Sequence, residues 1–308
     1  MKSVWNRINR WLAAGLLLAL SACDQTAPSA TPAASTAADE NAPPALLFAV
    51  HPYDNPSRLM ARFQPLCDYL TQKLGRPVKL LLAHSYGDEI RQIARGQVDL
   101  AYMGPTPYLR AHDNYLKNAK HNVEIIAGEI QNGKANYHSV LVVPQSSPVQ
   151  TVADLKNHTI AFGSPRSFSS YFVPRAMLLN NGVQLSDLKD YEFLGRHERV
   201  ALAVVHGDFD AGGLRRNIAD RYLDRSLRII ATSPPLPPHV IVARPGLDNA
   251  IIDQVRQALL HPGADAADAL EAFSMEGRTT FSPVDDQAFD LARDIVHRIE
   301  TAMPGKLP

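Results

Sequence analysis

The chain has little cysteine, no surplus of charge and no apolar stretch long enough to remain in a membrane. Two cysteines, Cys23 and Cys67, stand among 308 residues. Neither has a partner at metal-ligand spacing and no His-Glu-x-x-His pair occurs, so the usual zinc patterns are absent and no cofactor or metal is expected. A Gly-x-Ser-x-Gly elbow is also missing, which argues against a serine hydrolase and, with the rest, against an enzyme. Lysine plus arginine and aspartate plus glutamate each number 31, a formal net charge of +0. A chain without a large basic field has little to offer a nucleic acid, which is not expected as a partner.

What is present begins with an address. Lys2, Arg7 and Arg10 form a basic segment, Leu12 to Leu20 an apolar one, and Leu20-Ser-Ala-Cys23 follows. The apolar run is too short to span a bilayer permanently, so residues 1–22 read as a removed signal peptide. The tetrapeptide resembles the lipobox of bacterial lipoproteins, which implies that Cys23 becomes the lipidated first residue. Asp24 after it favours the inner membrane, and plain secretion with an incidental cysteine is the alternative. Cleavage removes three basic groups, leaving 28 against 31 acidic ones. Residues 23–44 are mostly Ala, Thr, Ser and Pro, the composition of a flexible tether. Cys67 falls on an apolar helical face and is expected in the core.

The remaining stretch, roughly 260 residues, is long for one core and suggests two lobes. Strands are predicted over 46–50, 78–82, 98–103, 123–127 and 139–143. Between them a helix over 57–74 puts Leu59, Phe63, Leu66, Leu70 and Leu74 on one face, with a kink expected at Pro65 and a stop at Gly75. Further helices are predicted over 88–95 and from Gly104-Pro-Thr-Pro-Tyr108. A second series places strands over 159–162, 191–194, 209–212, 227–231 and 240–243. Its helices are predicted from Ser169 and over 183–188, 198–206 and 214–222. Helices over 249–260, 264–273 and 286–302 finish the chain. The alternation predicts an α/β protein with parallel sheets wrapped by helices.

Two features bear on function. Thr159-Ile-Ala-Phe-Gly163 runs into a turn holding Ser167, Ser169 and Ser170 and then into a helix. Hydroxyls beside a helix N-terminus suit an oxyanion, although the same turn serves equally as a plain Ser cap. In addition, Gly96-Gln-Val-Asp99 and Gly207-Asp-Phe-Asp210 echo one another, once in each half. In open α/β sheets ligands bind at the carboxyl ends of strands. The Gly104 and Ser167 turns are therefore expected to face each other across one cleft.

Several ordered segments carry a family resemblance: Phe63-Gln-Pro-Leu-Cys-Asp-Tyr-Leu70, Val98-Asp-Leu-Ala-Tyr-Met-Gly-Pro105, Tyr137-His-Ser-Val-Leu141, Asp154-Leu155, Ala161-Phe-Gly-Ser-Pro165 through Val173-Pro174, His197-Glu-Arg-Val-Ala-Leu-Ala-Val204 and Ser233-Pro-Pro-Leu-Pro237. Over about residues 46–300 the chain resembles the phosphate-, phosphite- and phosphonate-binding periplasmic proteins of ABC transporters. The resemblance implies a two-lobed α/β fold of the type II periplasmic-binding class, with crossings near 141–144 and 238–242. Lobe 1 is expected over 45–141 and 240–308, and lobe 2 over 142–239. It also implies that Tyr86, Tyr137, Ser167, Ser169 and His197 hold the ligand, and Ser170, from the turn itself, is expected beside them. Gly104, Thr106, Phe168 and His239 are candidates for further contacts. Phe168 stands where the family's turn has threonine. Asn217 and His239 stand near where members that bind aminoalkylphosphonates carry acids, so an ammonium would go unpaired and 2-aminoethylphosphonate is expected to bind poorly.

The reading is a monomeric receptor that captures a small phosphorus oxyanion and hands it to an inner-membrane ABC permease. A receptor feeding a membrane sensor kinase is the alternative. If His197 binds in its charged form, affinity is expected to fall as pH rises through its pKa.

Overall fold

The computed structural model describes residues 43–114, 122–224, 226–274 and 278–302. The signal peptide, Cys23 and all of the tether but its last two residues lie outside the described residues.

Two mixed sheets organise the fold. In the first half, β1 (Leu46–Val50) leads into α1 (Pro56–Leu74). Asn55 caps α1 by accepting from the Arg58 N–H at 3.0 Å, Pro56 opens it, and Gly75 ends it in the left-handed region at φ 61°. The helix continues past Pro65 and buries Leu59, Phe63, Leu66, Cys67 and Leu70, with Leu74 at the edge. Cys67 is a free thiol in this core, and burial, aided by Asp68, pushes its pKa up to about 12. There follow β2 (Val78–Leu82), α2 (Tyr86–Ala94), β3 (Leu100–Met103), α3 (Pro105–Leu109) and β4 (Glu124–Gln131).

The second half repeats the plan. It contains β5 (Ser139–Pro144), β6 (Thr159–Phe162), α4 (Val173–Asn180), β7 (Asp190–Phe193), α5 (His197–Val205), β8 (Ala211–Arg215), α6 (Arg216–Asp220) and β9 (Leu227–Thr232). Then β10 (Val240–Ala243), α7 (Asn249–Leu260), α8 (Ala267–Ser274), β11 (Thr279–Ser282) and α9 (Asp290–Thr301) close the described chain.

The strand orders are β11-β4-β10-β3-β1-β2 and β7-β6-β8-β5-β9. Each sheet has a parallel trio, β2-β1-β3 or β7-β6-β8. Beside each trio lies one antiparallel strand that has just arrived from the other half, β10 or β5. The sheets are thus mixed, not parallel, because the chain crosses twice and each crossing strand enters head to tail.

The crossings occupy 132–138 and 233–239. They meet each other: the Tyr137 N–H donates to the Leu236 carbonyl at 3.3 Å and the reverse bond is 2.9 Å. The predicted crossing near 141–144 falls instead inside β5, which pairs with β8 and β9.

The sequence echo has a structural meaning. An Asp99 Oδ accepts from the N–H of Leu47 in β1 at 2.9 Å, and an Asp210 Oδ accepts from the N–H of Thr159 in β6 at 2.8 Å. Each aspartate ties the start of the third parallel strand to the first, after a glycine with positive φ has ended the intervening helix.

The main departures from prediction lie at four elements. β4 runs on to Gln131, β8 on to Arg215, and β11 was not expected. The helix predicted over 183–188 is only the 3-10 turn Leu185–Asp187.

Candidate functional site

Strand ends from both sheets meet between them. Beyond β1 come His51 and Tyr53, and beyond β2 comes Tyr86, the first residue of α2. Thr106 follows β3. From the other sheet, β6 leads to the serine turn, β7 to His197 and β8 to Arg215. The crossings supply Tyr137 and His239. All of these side chains are buried.

The serine turn is a π-helical turn, Phe168–Phe172, that feeds α4. Ser167 caps it, accepting from the Ser170 N–H at 3.2 Å, and lies close enough to the Tyr86 hydroxyl of the other sheet to act on it. Ser169 faces the Tyr137 hydroxyl, and its carbonyl accepts from the Ser139 hydroxyl at 2.7 Å. Ser170 is spent within the fold. Its hydroxyl donates to the Gly213 carbonyl and accepts from the Gly163 N–H, so it pins the turn to β8. Phe168 lies in the hydrophobic core of this half. The loss of a hydroxyl at that position therefore goes to packing.

His197 opens α5 with its ring in a fixed state. Nδ1 accepts from the Arg215 N–H at 3.0 Å, which leaves the neutral ring's proton on Nε2, 3.5 Å from Ser167 Oγ. Burial, with Arg215, His51 and Arg221 nearby, lowers its pKa to about 3. The charged-histidine expectation is corrected by this environment: His197 is a neutral N–H donor at physiological pH and loses no proton as pH rises.

His239 is likewise held neutral, by burial and then by Arg215. It stacks on Tyr102 at 5.2 Å and packs against Gly104, where a Cβ would lie 3.1 Å from its Nε2. Burial also raises Tyr86 and Tyr137, which keeps both hydroxyls protonated. Among the described residues, Thr106 Oγ1, the Tyr137 hydroxyl and His239 Nδ1 are buried without a geometrically complete hydrogen bond. Buried polar atoms are rarely left so, and several near one another mark a place where a polar ligand completes them.

A charged layer beneath this site was not anticipated. Glu129 accepts from Arg62 and Tyr102, and from Arg215 Nη2 at 3.4 Å. Burial would raise its pKa, but the two guanidinia hold it below the usual carboxylate range. Arg62 also donates to the Tyr53 hydroxyl at 2.8 Å. His51 and Glu89 form a second buried pair at 2.7 Å. One signal could have located Arg215. Counting five residues on from each echoing aspartate reaches Gly104 and Arg215, and the structure makes these the N-caps of α3 and α6. No set of three or more His, Cys, Asp or Glu side chains is placed to hold a metal among the described residues.

Uncharged donors converging from two sheets, over a layer in which two guanidinia share one carboxylate, suit a small anion. Residues 48–289 match the family model described as ABC transporter, phosphonate, periplasmic substrate-binding protein. The chain belongs to that family. Its members are periplasmic binding proteins, not enzymes. The phosphate-import protein PhnD of Mycolicibacterium smegmatis is 28% identical over 259 residues, spanning 79% of this chain and 78% of its own length. The phosphonates-binding periplasmic protein of Escherichia coli is 27% identical over 230 residues, spanning 71% of this chain and 66% of its own length. The structure of PhnD1 from Prochlorococcus marinus in complex with methylphosphonate matches with a TM-score of 0.73 at 20% identity, covering 83% of this chain and 98% of that one. The expected type II periplasmic-binding fold is thereby shown. These relatives are transport proteins, which favours a permease over a sensor kinase as the partner.

Proposed function

We propose that this family member is the substrate-binding lipoprotein of an ABC importer and captures a small phosphorus oxyanion (phosphonate, phosphite or phosphate) between two lobes. The lobes are taken as the residues before the first crossing with those after the second, 45–131 and 240–308, and 139–232 between them, so the expected boundary at 141 moves back to the start of β5. Cys23 is the lipid-bearing residue, 23–44 the tether, and the protein acts as an inner-membrane-anchored monomer.

The observation that carries this reading is the burial of Tyr86, Tyr137, Ser167, Ser169 and His197 at the strand ends and crossings between the two sheets, with the Tyr137 hydroxyl, Thr106 Oγ1 and His239 Nδ1 left without hydrogen-bond partners among the described residues. An anion inserted there draws O–H groups from both sides and the His197 Nε2–H, so binding and lobe closure are one event. Thr106 and His239 complete the rim, while Ser170 and Phe168 hold the turn. The ligand is dehydrated, held and released unaltered. Relatives named for phosphate import and for phosphonate binding support the substrate class.

A thermal-shift screen of the purified chain tests this. Methylphosphonate, phosphite or phosphate at a hundred times its Kd should add about 2.7 kcal/mol of stability. Sulfate and 2-aminoethylphosphonate should add much less. Equal shifts for all of them, or none for the phosphorus oxyanions, would refute the reading.

A further inference from the structure

A cavity of about 640 Å3 adjoins the donor cluster and shares Tyr137 and Arg215 with it. Lys134, His138, Asn217 and Arg221 line the rest of the wall that matters here. Its one acidic lining residue, Asp220, accepts from Arg216 at 2.6 Å, and Arg221 donates to Asp54 at 3.0 Å. Lys134 is exposed and pairs with no carboxylate among the described residues. Arg215 is 3% exposed and lies 4.8 Å over the Tyr137 ring. It shares the single carboxylate of Glu129 with Arg62, and its Nε and Nη1 have no partner among the described residues.

Two guanidinia on one carboxylate leave a buried positive charge uncompensated. Such a charge costs several kcal/mol unless a counter-charge arrives. The tyrosine and serine donors already suit the first oxyanion without it. The adjoining space is larger than a methyl group needs, and Asn217 offers no carboxylate to neutralise a cation.

We propose that this cavity is a second anion subsite, so that the preferred ligand is a phosphonate or phosphate carrying a second acidic group of the carboxylate or phosphoryl class. Arg215 binds that group from the floor and Lys134 from the mouth. The proposal rests on the oxyanion reading above and narrows it to one substrate class.

Isothermal titration of the purified full-length chain with methylphosphonate, phosphonoacetate and 2-aminoethylphosphonate tests it. Phosphonoacetate should bind about tenfold more tightly than methylphosphonate, the worth of one charge-assisted hydrogen bond, and 2-aminoethylphosphonate most weakly. Lys134→Gln, on an exposed side chain, should shrink the phosphonoacetate advantage and leave methylphosphonate unchanged. Arg215→Met leaves Arg62 and Glu129 as a one-to-one pair and should abolish the advantage. Equal affinity for the first two ligands, or an Arg215→Met loss as large for methylphosphonate as for phosphonoacetate, overturns the second subsite and leaves the oxyanion reading standing. Binding of neither ligand, with none of phosphite or phosphate either, overturns both.

Discussion

His197 shows how a single residue's surroundings decide its chemistry. In sequence it is a histidine ahead of a helix, free to be a cation. In the fold it accepts from the Arg215 N–H and is buried beside that guanidinium, so its pKa falls to about 3 from an ordinary 6.5. Between those values the unfolded chain takes up a proton that the folded chain refuses. Stability is therefore fully present above the unfolded value and is lost as pH falls towards the folded one. Lowering pH from 7 to 5 should cost about 2 kcal/mol through His197 alone. His239 adds a loss of the same sign. Urea unfolding at the two pH values checks this, and His197→Asn should remove its share of the acid loss while keeping a side-chain acceptor for the Arg215 N–H. An unchanged pH slope in that variant would show that His197 is not the group responsible.

Among the elements, β8 and α5 are packed closely beside the site. Gly212 in β8 lies where a Cβ would come within 2.7 Å of Val200 and 2.9 Å of Val204, both on α5. Gly212→Ala should therefore push α5 outward, at a cost of about 1–3 kcal/mol from overpacking. Because α5 carries His197 at its first turn, oxyanion affinity should fall in the same variant. Calorimetry and titration together check this, and a variant with normal stability and affinity would show that the contact is not tight. The same elements mark the limits of the sequence. Apolar runs such as 46–50 and 159–162, and the i, i+3, i+4 face of α1, name themselves. The serine turn, Tyr86, Tyr137 and His197 were also legible, because the family resemblance supplied them in order. Arg215 and Glu129 were not. The glycines Gly212–Gly213 and Gly128 read as strand ends, yet both strands continue through them, supported by pairing that only the tertiary fold provides.

For the whole molecule, contacts span the two halves through atoms other than the donors themselves. The His197 N–H donates to the Tyr53 carbonyl at 3.1 Å, Asn55 donates to Glu198 at 3.2 Å, and Arg221 pairs with Asp54 at 3.0 Å. All three join the segment after β1 to the start of α5 or the end of α6. The two crossings, bonded to each other through Tyr137 and Leu236, are the natural pivot opposite them. Tyr137 sits at that meeting of the crossings, so in the proposed site ligand and hinge share a residue. The most direct measurement of the central claim is a crystal structure of the purified protein grown with methylphosphonate. The phosphonyl oxygens should lie within hydrogen-bond distance of Tyr86, Tyr137, Ser167, Ser169 and the Nε2 of His197, with the crossings at the hinge. A phosphonate bound elsewhere, with the Tyr86–Ser167 and Tyr137–Ser169 contacts closed against each other, would contradict the account.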